Sequence, residues 1–366
     1  MDILLDWVSF TLMPDKEDGA RLFSFARNGL WEFLRLDEEH SNFAKLRGVN
    51  GYYERYTYNG VTIQYPKVER VNDIGVNVVL SGEGCRYIES LVAWQADGGF
   101  SWAMFFDRLL SLQARYKVNV CRLDVAVDDK ADSSDNGKLN LDAIHRTAAL
   151  GNYVSKSRTF NSVVTREGFE KSNYVYDENG QVLGYRHMKP MGKTLYFGSR
   201  GSNAYIRIYD KAAEQGVDGH WVRFEMELKQ RNAMYIVKHI ISEGENFGRF
   251  FASFVYRYLR FVNMDDSNIS RCSVVDWWKA FLGDVEKLRI VLGEFEAKTI
   301  DKMINVLTKS WSTNLYCLLK TVGADFLLDN IIASGAGRLS KKHKDAIGNF
   351  FYEQGQGGVP DGVYTR

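Results

Sequence analysis

Three stretches of this chain alternate strictly between aliphatic and charged side chains, and that period of two constrains the fold more than any other feature of its 366 residues. In 122–128 (RLDVAVD), Leu123, Val125 and Val127 share one face of an extended strand, while Arg122, Asp124, Ala126 and Asp128 share the other. In 204–211 (AYIRIYDK), Ile206 and Ile208 point one way, and Tyr205, Arg207, Tyr209 and Lys211 the other. In 221–229 (WVRFEMELK), Val222, Phe224, Met226 and Leu228 oppose Arg223, Glu225, Glu227 and Lys229. Successive side chains of a strand stand on opposite sides of the sheet, so each stretch buries an aliphatic row and presents a charged one. Antiparallel sheets with one covered face carry this pattern.

The rest of the chain supplies partners for such a sheet. Strand-like text recurs at 7–12, 51–65, 74–80, 118–128 and 193–198, the second stretch broken at Asn59-Gly60, a hairpin-turn signal. Helical spacing marks 18–36, 101–116, 141–150, 276–292 and 301–321. The expected fold class is α+β, with a largely antiparallel central sheet and a helical C-terminal region. The boundaries read as 1–268 for the α+β domain, 269–353 for the helical region and 354–366 for a flexible tail, whose text (GQGGVPDG) is rich in glycine.

Composition excludes several classes. Apolar residues at 45% support a sizeable core, and four prolines with no low-complexity tract argue against disorder. Lys and Arg number 47 against 46 Asp and Glu, so any contact with nucleic acid must come from a local patch. Cys85, Cys121, Cys272 and Cys317 form no CxxC pair, so reduced thiols of a cytoplasmic protein are expected. The N-terminus carries two acids and no basic segment, unlike a signal peptide, and no apolar run is long enough to span a membrane.

If the three strands pair, Asp124, Asp128, Glu225 and Glu227 converge beside Tyr205, Tyr209, Arg207, Arg223 and Lys211. Carboxylate oxygens bind hard divalent cations such as Mg²⁺ or Mn²⁺. Tyrosine is a covalent nucleophile that needs a metal or neighbouring cations to ionise. The plainer reading of the same rows is a solvated sheet face, on which Arg and Glu pair across strands.

The segments RLDVAVDD (122–129), TLYFGSRGSNAYIRIYDKAAE (194–214) and WVRFEMELK (221–229) resemble the replication initiation factor family, as do DWVSFT (6–11), GVNVVLSGEGCRYI (75–88) and DWWKAFLG (276–283). That family holds rolling-circle initiators of filamentous phages and of some Gram-positive plasmids, together with relaxases of integrative conjugative elements. The resemblance spans roughly 6–295. It implies a divergent form of the rolling-circle nicking fold and a site-specific nickase that joins a tyrosine to the 5′ phosphate. Such relatives usually ligate metal with a His-hydrophobe-His pair, which this sequence lacks, so its metal would rest on Asp124, Glu225, Asp128 and Glu227. Tyr209, in a YxKxxE run with Lys211 and Glu214, is the expected nucleophile, with Tyr205 and Tyr196 as alternatives and Arg207 and Lys211 in support. Arg122, Arg200, Lys193, Arg223, Lys229, Lys341 and Lys342 are candidate DNA contacts. The implied partners are a replication origin, single-stranded or melted at the nick, and a host helicase or polymerase; no nucleotide cofactor and no membrane are expected. The rival readings are a non-catalytic regulator on the same fold, a conjugative relaxase, and a metal-dependent phosphoesterase using water.

Other signals are set aside. HMKPMGKT (187–194) mimics the end of a phosphate-binding loop but has His187 where the first glycine belongs. SGEGCR (81–86) and FGSRGSN (197–203) read as hairpin turns, Trp277 and Trp278 as core, and His187 and His220 as structural. RLSKKHK (338–344) is either a solvated face or a DNA contact.

Overall fold

The computed structural model of the chain describes residues 1–15, 18–131, 138–157, 159–164, 174–176, 181–185 and 192–292, with shorter stretches between 303 and 347. Two compact units emerge: 1–38 with 44–293, and 39–43 with 294–366. The first begins β1 (Asp2–Pro14), α1 (Gly19–Arg27), α2 (Gly29–Phe33), β2 (Ala44–Arg47), β3 (Glu54–Tyr58), β4 (Val61–Tyr65), α3 (Val71–Ile74), β5 (Val76–Leu80), α4 (Gly82–Glu89), α5 (Trp102–Ser111), β6 (Tyr116–Ala131) and α6 (Leu141–Ala149). It continues with β7 (Tyr153–Ser155), β8 (Phe160–Val164), β9 (Tyr174–Tyr176), β10 (Val182–Tyr185), β11 (Lys193–Phe197), β12 (Ala204–Asp210), α7 (Lys211–Gln215), β13 (His220–Lys229), α8 (Arg231–Glu243), α9 (Phe247–Tyr258), β14 (Leu259–Phe261) and α10 (Asp276–Val285).

Ten strands form one sheet in the order β2-β3-β4-β5-β1-β6-β13-β12-β11-β8. Every neighbouring pair in it is antiparallel. The three alternating stretches are its β6, β13 and β12, side by side. Their aliphatic rows line up in register: Leu123 opposite Leu228, Val125 opposite Met226 and Val127 opposite Phe224, with Ile206 and Ile208 beyond. All of these are buried. On that face Phe224 packs against Trp278 at 6.1 Å and Phe281 at 5.8 Å between ring centroids, and Phe10 of β1 meets Phe105 of α5 at 6.4 Å. Each such aromatic contributes about 2–3 kcal/mol by leaving water. Trp278 is therefore core, as its helical spacing suggested, while Trp277 meets Phe261 at a tilt, 5.0 Å between ring centroids.

Two local features differ from expectation. SGEGCR does not turn a hairpin. It opens α4, because the Ser81 hydroxyl accepts from the Gly84 amide and caps the first turn. Gly84 is needed there because a Cβ would stand 2.4 Å from the Gly60 carbonyl oxygen, in the β3–β4 turn. That turn is the one Asn59-Gly60 announced, with φ of 49° and 76°. In addition, β1 and β6 pair with two breaks in register, and the first leaves Asp6 as an extra residue between Leu5 and Trp7.

In the second unit, α11 (Ser312–Phe326) is interrupted at Gly323 (φ 86°, ψ 170°) and followed by a π-helical turn over Leu327–Ile332. Among the described residues no helix is long and apolar enough to cross a membrane.

Candidate active site

The charged rows of β6, β13 and β12 share the face opposite the helices, and the register fixes who meets whom. Asp124 stands opposite Glu227, Ala126 opposite Glu225, and Asp128 opposite Arg223. On the next strand Tyr205 stands opposite Glu227, Arg207 opposite Glu225 and Tyr209 opposite Arg223. The face is not solvated: Asp124, Glu225 and Glu227 are 2%, 1% and 6% exposed. Of the plainer reading, the Arg–Glu pairing across strands holds, Arg207 with Glu225 and Arg122 with Glu227, but the acids are buried rather than solvated.

Burying carboxylates requires close counter-charges. Arg122 supplies one: its Nε and Nη2 donate to Asp124 at 2.8 and 2.5 Å, and Nη2 also lies 2.9 Å from Glu227. Its guanidinium sits 4.5 Å from the Trp7 ring centroid. Lys229 Nζ lies 2.7 Å from the other Glu227 oxygen and donates to the Arg200 carbonyl. Arg207 donates to Glu225 Oε1, and the same nitrogen lies 4.0 Å from Asp124. Its Nε is buried with no hydrogen-bond partner among the described residues. The Tyr209 hydroxyl donates to Glu225 Oε2 at 3.1 Å.

These placements shift protonation. Burial pushes the Asp124 carboxyl up to about 7, and the charges of Glu225 and Glu227 add to the rise against the pull of Arg122. Burial also pushes the Tyr209 hydroxyl well above the ordinary tyrosine value, and the Glu225 charge pushes it further. Burial works against the Asp128 charge too, but the Arg223 guanidinium outweighs it and holds that carboxyl below its usual range.

Asp128 belongs to a neighbouring cluster. Arg223 donates to it through Nε and Nη2 at 2.6 and 2.7 Å, while Nη1 reaches Asp6 at 3.1 Å. Asp6 was not foreseen. It reaches Arg223 from the β1 bulge, and the one sequence signal was an acid inside the aliphatic run ILLDW.

Other candidates are placed as follows. Lys211 does not share the strand face: Asp210 caps α7 by accepting from the Ala213 amide, and Lys211 begins that helix. It pairs with Glu214, its Nζ 5.7 Å from the Tyr209 ring centroid. Tyr196 and Tyr205 stack on each other at 5.7 Å and 8°. Arg200 is exposed in the β11–β12 turn. Lys193 pairs with Asp142 of α6 and stands one position out of phase with Thr194, which opposes Tyr209. His220 bonds Asp129 at 3.2 Å, and both residues lie in the rows of the helix-covered face. Lys341, Lys342 and His187 lie outside the described residues.

Carboxylates alone suit a hard divalent cation, and Asp124, Glu225 and Glu227 concentrate negative charge on one face of adjoining strands. The guanidinium groups of Arg122 and Arg207 now neutralise part of it. Among the described residues no three His, Cys, Asp or Glu side chains are gathered closely enough to hold a metal ion.

Comparison with known proteins places this site in context. A family profile described as replication initiation factor matches 118–332, more than half of the chain, and one described as rolling circle replication initiation protein N-terminal domain matches 27–108. The chain is 25% identical over 331 residues to the putative DNA relaxase NicK of Bacillus subtilis (strain 168), covering 86% of this chain and 83% of that protein. It is also similar to the structure of a rolling circle replication initiator protein from Geobacillus stearothermophilus, with a TM-score of 0.60 and 25% identity over 80% of this chain and 98% of that one.

Proposed function

The chain belongs to the replication initiation factor family of rolling-circle initiators and relaxases, and from that premise we propose that it nicks one DNA strand with Tyr209. The observation that carries the reading is the hydrogen bond from Tyr209 to Glu225, inside a buried group of carboxylates from two adjoining strands. Buried acids and a buried tyrosine stay in a fold only when they are hydrogen-bonded and paired, as these are, and ionisable groups with displaced protonation gathered in one place are characteristic of functional sites.

In this reading the Tyr209 oxygen attacks the scissile phosphorus, the bond to the 3′ oxygen breaks, and the leaving oxygen takes up a proton. The tyrosine proton passes to Glu225, to which it already points. Arg207 both neutralises Glu225 and has an unmet N–H donor. When it turns toward the phosphate it stabilises the developing charge, and Glu225, relieved of its cation, becomes a stronger base. Lys211, close to the tyrosine ring, supports the same charge. Asp124, Glu225 and Glu227 would hold Mg²⁺ or Mn²⁺ only once Arg122 and Arg207 turn away and the three carboxylates close up, and the ion would then supply Lewis-acid polarisation of the phosphate. The phosphotyrosyl bond keeps the energy of the broken ester, so a 3′ hydroxyl can reseal the strand.

The DNA would be an origin, single-stranded or melted at the nick, and the protein would act in the cytoplasm of a bacterium. Relaxase function in conjugative transfer is the second reading, favoured by the likeness to NicK. The test is incubation with supercoiled DNA carrying the replicon of origin and Mn²⁺. A nicked product with protein on its 5′ end supports the proposal. Nicking without attachment points to a water-using phosphoesterase, and binding without nicking to a regulator; either overturns it.

A further inference from the structure

A second concavity lies far from Tyr209. It has a volume of about 850 Å³, and Lys45, Arg47, Lys67 and Arg70 line it together with Tyr53 and Glu54. The single acid in that set is already neutralised: Glu54 is buried and paired with Arg27 and with Lys45. The four cations are exposed. Lys45 is held by Glu54 and Arg70 lies 3.6 Å from Asp73, so Arg47 and Lys67 carry the excess positive charge of the groove. Tyr53, 58% exposed, lines the same groove, with Lys67 Nζ 5.9 Å from its ring centroid. Its backbone is pinned, the amide donating to the Tyr65 carbonyl at 2.9 Å. A smaller concavity of about 410 Å³ shares Tyr53 and Lys67 and adds Arg27 and the exposed acid Glu69.

The groove is separate from the nicking site. Lys45 stands in the row of Tyr56, Ile63, Val78 and Phe10, the helix-covered face, whereas Asp124 lies on the other. Four strand positions separate β3 from β6, roughly 19 Å at the usual spacing.

We infer that this groove binds single-stranded DNA, the cations holding successive phosphates and Tyr53 stacking on a base. A fixed aromatic ring among flexible cations is how proteins hold a strand without reading its sequence. A duplex keeps its base faces stacked inside, where an exposed ring cannot meet them. The choice of nucleic acid over another polyanion rests on the nicking reading; the site itself does not. It gives the protein a hold on a strand while the catalytic face engages the scissile phosphate.

The test uses a fluorescent twenty-nucleotide oligo-dT, the matching duplex, and an oligonucleotide carrying 5-iodouracil for photocrosslinking. The wild-type chain should crosslink through the peptide containing Tyr53. Arg47→Glu with Lys67→Glu should weaken oligo-dT binding at least tenfold and reduce the slope of log affinity against log salt by about 1.4, roughly 0.7 per lost phosphate contact. Tyr53→Ala should cost about fivefold or more and leave the slope in place. The supercoiled-DNA nicking assay on the same wild-type preparation reads the nicking proposal separately: no nicking with the crosslink at Tyr53 present counts against that proposal alone. No crosslink at Tyr53, equal losses on the duplex, or binding of poly-glutamate in place of DNA overturns the inference.

Discussion

Asp124 and Glu227 face each other directly across adjacent strands, and one nitrogen of Arg122 lies 2.5 Å from the first and 2.9 Å from the second. Like charges in that position repel, so Arg122, together with Lys229 on the other Glu227 oxygen, is what allows both to be buried. Arg122→Gln should destabilise the protein by about 3 kcal/mol, the lower end for a broken buried pair because the arginine is partly exposed. Urea unfolding measures this. Adding Asp124→Asn should restore most of the loss; an unchanged midpoint in the single variant would show that another group neutralises the pair.

Tyr209→Phe removes one hydrogen bond, to Glu225, at a cost of about 1 kcal/mol. The variant should fold and bind DNA yet form no covalent adduct. Tyr205→Phe and Tyr196→Phe should still attach. Denaturing gels of labelled DNA decide between them, and an adduct on Tyr209→Phe names the wrong tyrosine.

Asp124 sets a pH dependence. Its folded pKa, raised to about 7 from 3.8, means the native state holds a proton that the unfolded chain has released. That stability is complete below the unfolded value and is lost as pH rises through about 7, a span on the order of 4 kcal/mol. Asp128, held low by Arg223, runs the other way and loses its contribution only as acid protonates it. Thermal melts from pH 5 to pH 8 should show stability falling, and Asp124→Asn should flatten the curve.

Divalent cation should reverse that loss. At a hundred times its dissociation constant, Mn²⁺ bound to the native state adds about 2.7 kcal/mol. The rise in Tm should be larger at pH 8 than at pH 5, where a protonated Asp124 competes. Glu225→Gln and Glu227→Gln should abolish it; a shift that survives both places the metal elsewhere.

Arg223 holds Asp128 and Asp6 together while 5% exposed. Arg223→Ala leaves two acids without their cation and should cost about 3–5 kcal/mol. Arg223→Lys, which keeps the charge and loses the forked geometry, should cost less. Equal losses would mean the charge contributes nothing.

The period-two text of three segments was enough to predict an antiparallel sheet with one aliphatic face, because the alternation of a strand is a local property of its backbone. It also placed Asp124, Arg207, Tyr209, Glu225 and Glu227 on a common face. It did not say which opposes which. Register comes from hydrogen bonding between segments a hundred residues apart, and only that pairing sets Asp124 against Glu227 and Asp128 against Arg223. The bulge that brings Asp6 to Arg223 is a break in the β1–β6 pairing, and the acid inside ILLDW marks it without saying where it leads. Lys211 left the face because Asp210 caps a helix there, a competition between strand and helix that alternation cannot judge. Burial was the largest surprise. A charged row looks the same in sequence whether wet or dry, and only the packed structure, with arginines laid over the acids, turned it into a site whose protonation is displaced from that of free side chains.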